Sequence, residues 1–371
     1  LLLLLLAGCA PARHYEAALV LEDIAAAGGD SSFKQKRPQP LRQAVSYAIA
    51  GRSRGADLTL PGPLEGCLEH CPRAAIVVIP GVVPLGKDDP RLVAFVTTLA
   101  RAGFAVLVPE IAGFRKLRVR PSDAREVADA FAYLAGRPEL APGGRAGLFA
   151  FSYAVGPALL AALEEDIRER VRFVVGLGGY HNIERAMRFF TTGWFEHAGA
   201  WRRITPDETG RMVLVYASLG YLASAGDGER FERMVALRGR DPGADLEPLA
   251  AGLSEQGRAV YALAVNDDPA RFPERLAGLP EALRADLARL NLARHDLKPL
   301  RARLYLVHGR NDNLIPWPET LALAAAAPEG QSEVFLIHRV LGHVDLNFSS
   351  LFSWRFWRED LSDLWRLWRL I

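Results

Sequence analysis

Cysteine is scarce: Cys9, Cys67 and Cys71 are the only three in 371 residues. That excludes the disulfide framework that staples small secreted domains together. Cys67, His70 and Cys71 lie close together but lack a second ligand pair, so no zinc site is expected there. No other Cys/His spacing of a metal-binding type occurs. An excess of charge of either sign is missing too. The formal net charge of +2 offers no electrostatic footprint for nucleic acid, and that class of partner is set aside. No internal repeat occurs, and no low-complexity segment beyond the leucines at the start. Those leucines are far too few to cross a bilayer by themselves. What is present is a chain 50% hydrophobic and 24% charged. It can bury a large core, as one elaborated domain or two small ones.

Residues 1–10 read L-L-L-L-L-L-A-G-C-A. Leucines followed by small residues have the form of the end of a signal-peptide hydrophobic region. Leu6-Ala7-Gly8-Cys9 also resembles the bacterial lipoprotein box, in which cleavage precedes a lipidated cysteine. The resemblance implies a signal-peptide remnant over residues 1–8 and a lipid on Cys9. It implies a membrane-anchored protein of the bacterial cell envelope, facing outside the cytoplasm; a chance Leu/Ala run is the alternative. In such an oxidising compartment Cys67 and Cys71 could pair, through a strained bridge. Residues 9–40 are punctuated by Gly, Ser and Pro and read as a lipid-anchored spacer, with a short helix around Glu16 to Ala27.

Beyond the spacer, short apolar runs alternate with amphipathic ones. Gln43 to Ala50 and Ala56 to Leu60 predict two strands around Gly51–Gly55, a hairpin-like opening. Ala74 to Ile79 reads as a buried strand ending in Pro80-Gly81-Val82-Val83. Asp89 and Pro90 are a cap and first residue for a helix with Leu92, Phe95, Val96 and Leu99 on one face and Gly103 at its end. Phe104 to Pro109 is the next strand. Asp123 opens a helix with Val127, Ala130, Phe131 and Leu134 inward and Gly136 as its stop. Gly147 to Phe151 and Val171 to Leu177 are further strands. Such alternation predicts an α/β fold, a mostly parallel, doubly wound sheet wrapped by helices.

Between Gly178 and about Leu300 the rhythm stops. The stretch is rich in Ala, Leu and Arg, with helical patterns broken at Gly193, Pro206, Gly226, Pro242, Gly257 and Pro280. It predicts a helical cap over the mouth of the sheet, residues 179–300; a separate domain is the alternative. Strands resume at Ala302 to Val307 and Glu333 to Ile337, so the core spans 41–178 and 301–371.

The whole chain is organised around Arg145 to Gly156, R-A-G-L-F-A-F-S-Y-A-V-G. Ser152 follows a buried strand at once, and Val155, Leu159, Leu160 and Leu163 then fall at helical spacing. Ala150 and Ala154, two residues either side, are small enough for a tight strand-to-helix turn. An ordinary helix cap is the plain alternative. The stretch resembles the nucleophile elbow of the α/β-hydrolase superfamily, G-x-S-x-G, although this chain carries A-F-S-Y-A and has glycine only at Gly156. The resemblance covers roughly Gln43 to Val344. Pro80 to Glu110 looks most like the dienelactone-hydrolase-like branch.

The resemblance implies partners in the order serine, acid, histidine. Asp312 lies in His308-Gly309-Arg310-Asn311-Asp312-Asn313-Leu314-Ile315-Pro316, after the strand from Ala302, and is the expected acid; the alternative is a turn aspartate. His343, in Val340-Leu341-Gly342-His343, sits in a loop and is the expected base, while His338 at a strand end has a structural role. Oxyanion donors are expected from the backbone of Val82, or Val83, and of Tyr153. The function implied is a serine hydrolase acting on small-molecule carboxylic esters, with no metal or organic cofactor. Amide cleavage and acyl transfer use the same machinery. A non-catalytic, membrane-tethered binding lipoprotein is the rival from another class. Last, Trp354, Trp357, Leu361, Leu364 and Trp368 share one helical face with Arg355, Arg358, Arg366 and Arg369 around it. That helix packs on the sheet or rests on a membrane surface.

Overall fold

A computed structural model describes residues 11–62, 72–241, 243–344 and four C-terminal residues: Ser362, Asp363, Trp365 and Arg366. Cys9, Cys67, Cys71 and the aromatic face at Trp354, Trp357 and Trp368 lie outside the described residues.

The segment expected to be a spacer is folded onto the domain. It forms α1 (Pro11–Ala25) and α2 (Ser32–Lys36), which lie beside α3 (Pro90–Arg101). Val20 and Phe33 are buried with Ala102. Asp23, almost wholly buried, accepts hydrogen bonds from the Ser31 hydroxyl, from Thr98 Oγ1 at 2.7 Å and from Arg101 at 2.9 Å, and pairs with Lys34 at 2.7 Å. Burial works to raise the Asp23 pKa, but the bonds from Lys34, Ser31 and Thr98 and the charge of Arg101 outweigh it and hold it low. Ala25, Ala27, Gly28 and Gly29 stay exposed, and the docking is made by Val20, Phe33 and Asp23.

The inner runs Ala74–Ile79, Phe104–Pro109, Ala146–Phe151 and Phe173–Leu177 are short and uncharged, while the outer runs carry charge, and all of them become strands. They are β1 (Leu41–Ile49), β2 (Arg52–Leu60), β3 (Ala74–Ile79), β4 (Phe104–Pro109), β5 (Ala146–Phe151), β6 (Phe173–Leu177), β7 (Trp194–His197), β8 (Ala200–Arg203), β9 (Arg303–Gly309) and β10 (Ser332–Ile337). Eight of them make one sheet in the order β1-β2-β4-β3-β5-β6-β9-β10. β2 runs antiparallel to both β1 and β4; the other neighbours are parallel. The opening hairpin turns on Ala50 and Gly51, both at positive φ (49° and 77°), so β2 begins at Arg52 and Gly55 lies within it, paired with Ser46. This corrects the expected loop from Gly51 to Gly55: a two-residue turn with left-handed backbone suits the strand twist, and no more residues are needed.

Alternate residues of the central strands feed two faces. Ile76, Val78, Val106 and Val108 pack with Leu92, Val96 and Ala100 of α3. Ala75, Val77, Ile79, Leu107 and Leu148 join Val127, Phe131 and Leu134 of α4 (Asp123–Ala135) and Leu159 of α5 (Val155–Leu163). Each fully buried Leu, Val or Phe contributes about 1.5–3 kcal/mol relative to exposure. The chain runs from β3 outward to β4, then returns to the other side of β3 as β5. That reversal is a topological switch point, and the loops leaving β3 and β5 open a crevice there.

The stretch between β6 and β9 is mainly helical: α6 (Ile183–Thr192), α7 (Glu208–Ser218), α8 (Ala225–Arg240), α9 (Glu247–Ala250), α10 (Glu255–Ala264), α11 (Phe272–Ala277) and α12 (Glu281–Leu290). It departs from the all-helical expectation in the β7–β8 hairpin, which turns on Ala198 and Gly199 at φ 52° and 72°. Its buried residues, among them Phe231, Val260 and Leu283, belong to the same cluster as the sheet. Helix α13 (Pro318–Ala326) then connects β9 to β10. No helix among the described residues is long and apolar enough to cross a membrane.

Candidate active site

β5 delivers Ser152 at the switch point. Ile79 of β3 pairs with Ala150 of β5, so the loop holding Val82 flanks residues 151–154. Ser152 has φ +55°, a left-handed conformation that a residue with a side chain adopts at a cost of about 1–2 kcal/mol. Ala150 and Ala154, two residues either side, are both fully buried. Gly156 is not part of the elbow's steric requirement. A Cβ there would overlap the Tyr180 hydroxyl. The Tyr180 ring stacks on Tyr153 at 5.6 Å between centroids, and its hydroxyl donates to the Leu290 carbonyl at 3.0 Å, tying the elbow to the end of α12.

β9 ends at Gly309 and the chain turns through Asp312, whose side chain is completely buried. Its two oxygens make different contacts. Oδ1 accepts from the backbone N–H of Leu314 at 2.8 Å and Ile315 at 2.9 Å, shaping the turn. Oδ2 accepts from His343 Nδ1 at 2.7 Å. Burial alone would raise the Asp312 pKa, yet the charge and hydrogen bonds of His343 and His308 hold it well below the usual carboxylate range.

His343 follows β10 in a loop, its side chain 15% exposed, and its Nε2 lies 2.6 Å from Ser152 Oγ. Donation from Nδ1 to Asp312 leaves Nε2 free to accept the serine proton. The loop is pinned at two places. Asp363 accepts from the backbone N–H groups of His338 at 2.9 Å and Arg339 at 2.7 Å. Gly309 packs flat against it, because a Cβ there would overlap the carbonyls of Leu341 and Gly342. His338 is exposed and takes no part in the chain to Ser152; slight desolvation, with Arg310 and Arg366 nearby, lowers its pKa. Val82 and Tyr153 are both half-buried, one on each side of the switch point.

One residue at the site is missed by the sequence reading. His308, fully buried on β9, has Nε2 3.1 Å from Asp312 Oδ2 and 3.0 Å from the Ile315 carbonyl, and Nδ1 2.6 Å from Thr320 Oγ1. The available signal is a histidine four residues before the acid, at the end of a buried strand. Among the described residues no group of three or more His, Cys, Asp or Glu is placed to hold a metal ion.

The strand order, the switch point beneath a strained serine and the serine–histidine–aspartate chain define an α/β-hydrolase fold. No family model matches the chain and no curated protein does. Several solved structures are similar to it. One is 2,6-dihydroxy-pseudo-oxynicotine hydrolase, 12% identical with a TM-score of 0.48 over 83% of this chain and 63% of that one. Another is the acylaminoacyl peptidase of Pyrococcus horikoshii, at 13% identity and a TM-score of 0.47 over 90% of this chain and 41% of that one. A third is a puromycin-hydrolysing peptidase of Mycobacterium tuberculosis, at 13% and 0.47 over 88% and 37%. This chain therefore spans less than two thirds of the length of each.

Proposed function

We propose that this protein is a serine hydrolase that cleaves carboxylic esters of small molecules through an acyl-enzyme intermediate. The observation that carries the reading is the continuous chain Ser152–His343–Asp312, with links of 2.6 and 2.7 Å, on a serine held at positive φ. Ser152 Oγ attacks the ester carbonyl carbon as His343 Nε2 takes its proton, and Asp312 stabilises the imidazolium. The backbone N–H groups of Val82 and Tyr153 receive the oxyanion. When the intermediate collapses, His343 returns the proton to the departing alkoxide. Water then repeats the attack on the acyl-enzyme, with His343 again as base, and the acid is released.

A binding protein on the same fold has no use for a strained serine aligned with a buried acid–base pair. In vivo, we propose, a lipid on Cys9 anchors the enzyme to the bacterial cell envelope, outside the cytoplasm. The test is labelling by a fluorophosphonate probe and turnover of p-nitrophenyl esters of graded chain length, beside the matching anilides. Ester hydrolysis and labelling that both vanish in Ser152→Ala, by at least about 10⁴-fold in kcat, are the expected result. A wild-type protein that neither labels nor turns over any ester overturns the reading. Faster anilide cleavage would transfer it to amides.

A further inference from the structure

The acid of the site is held by more than the turn it sits in. Asp312 Oδ1 receives two backbone N–H groups, from Leu314 and Ile315. Oδ2 faces two imidazoles, His343 Nδ1 at 2.7 Å and His308 Nε2 at 3.1 Å. A carboxylate offers about four lone-pair sites, and here each has a donor. The proton on His308 can be placed by elimination. Its Nε2 also lies 3.0 Å from the Ile315 carbonyl, which has no hydrogen to give, so Nε2 carries the proton and shares it between two acceptors. Nδ1 meets the Thr320 hydroxyl across 2.6 Å, a group able to serve it as donor or acceptor. Two imidazoles therefore meet on one carboxylate oxygen, one through Nδ1 and the other through Nε2.

We propose that His308 and Thr320 are positioning residues of the hydrolytic site, extending the chain Ser152–His343–Asp312 by two members into the core. This rests on the serine-hydrolase reading. Thr320 stands on α13, where the neighbouring Glu319 accepts from the backbone N–H groups of His181 at 3.1 Å and Asn182 at 2.7 Å, after β6. The outer end of the chain is thus built into rigid elements. The other charges near it are engaged elsewhere: Glu319 with Arg185 at 2.7 Å, and Arg310 over the Trp317 ring at 4.9 Å. His308 does two things for Asp312. It stops the carboxylate from rotating away from His343, and it draws off part of the charge that His343 would otherwise receive alone.

His308→Leu removes the donor, and His308→Gln keeps an N–H at a similar reach. The Leu variant should lose about ten- to a hundredfold in kcat with little change in KM, because a loosened base is misplaced for proton transfer. The acidic limb of its pH–rate profile should move to higher pH, since Asp312 then serves His343 only. The Gln variant should recover most of both. Thr320→Val and Thr320→Ser form a second pair, with the same loss in Val and recovery in Ser, and they decide the question if His308→Leu does not fold. Proton NMR titration of the His343 ring in the wild type and variants reads the same shift without any substrate. It therefore separates failure of this proposal from failure of the esterase reading. Folded His308→Leu or Thr320→Val protein with wild-type kcat, an unmoved acidic limb and an unmoved His343 titration overturns the proposal. A lower melting temperature alone would be a purely structural role, and would overturn it equally.

Discussion

Asp123 begins α4 with no exposure to solvent, and only one of its carboxyl oxygens is hydrogen-bonded. Oδ2 accepts from the Arg120 N–H at 2.8 Å; Oδ1 is buried without a hydrogen bond among the described residues. The Arg120 guanidinium stands 3.9 Å from Oδ1 and is itself 44% exposed. Burial pushes the pKa up to about 7, against the pull of the Arg120 N–H and charge. In the unfolded chain the same group titrates near 3.9. A folded pKa above the unfolded one means that the fold favours the protonated form. The stability it gives is complete below about pH 4 and is lost as pH rises through about 7. Asn keeps an acceptor for Arg120 and never ionises. The stability gained by Asp123→Asn should therefore grow by about 3 kcal/mol between pH 5 and pH 8, two pKa units at about 1.4 kcal/mol each. Urea unfolding of both proteins at both pH values, followed by tryptophan fluorescence, measures this directly. The change of the difference with pH cancels every group the two proteins share. A gain that is equal at pH 5 and pH 8, or smaller at pH 8, would refute an uncompensated carboxyl at this position.

Two further outcomes follow from the site and the N-terminal helices. His343→Ala should lose nearly all ester turnover while keeping its melting temperature, whereas His338→Ala, at an exposed ring, should change neither turnover nor melting temperature much; kinetics and thermal melts on both decide which ring is the base. Asp23→Ala leaves Arg101 buried without its carboxylate and should cost about 3–5 kcal/mol. It should free α1 and α2 from α3, which limited proteolysis would read as early cleavage before Leu41, and an unchanged digestion pattern would show that the apolar contacts of Val20 and Phe33 suffice.

The sheet is legible in the sequence because its inner strands are buried on both faces and therefore uniformly apolar: Ala74–Ile79 and Phe104–Pro109 occupy the expected residues. Helix α3 is legible through its cap, since Asp89 accepts from the Arg91 N–H at 2.9 Å with Pro90 next. Ser152 stands directly beyond β5, and Asp312 and His343 lie in the loops that leave β9 and β10, so the order of elements in the sequence already places the three side chains the fold brings together. What escapes has a different character. Both hairpins turn on Ala-Gly, and alanine at positive φ does not announce a turn as Asn-Gly does. The docking of α1 depends on Thr98 and Arg101, 75 and 78 residues from Asp23, a separation that no local pattern records. His308 is hidden for a related reason. A single histidine in an apolar strand looks like core, and its meaning lies in Thr320 and Asp312, which only the fold brings to its two nitrogens.

The flat approach of Gly309 to Leu341 and Gly342 has a consequence for anyone who would rebuild this protein. At Gly309 the segment that bears the acid meets the segment that bears the base backbone to backbone, and beside that contact Asn311 and Asp312 reach across to His338 and His343. Neither can be lengthened, exchanged or borrowed from a relative by itself. Residues 308–316 and 338–343 form one cassette, to be inherited or transplanted whole.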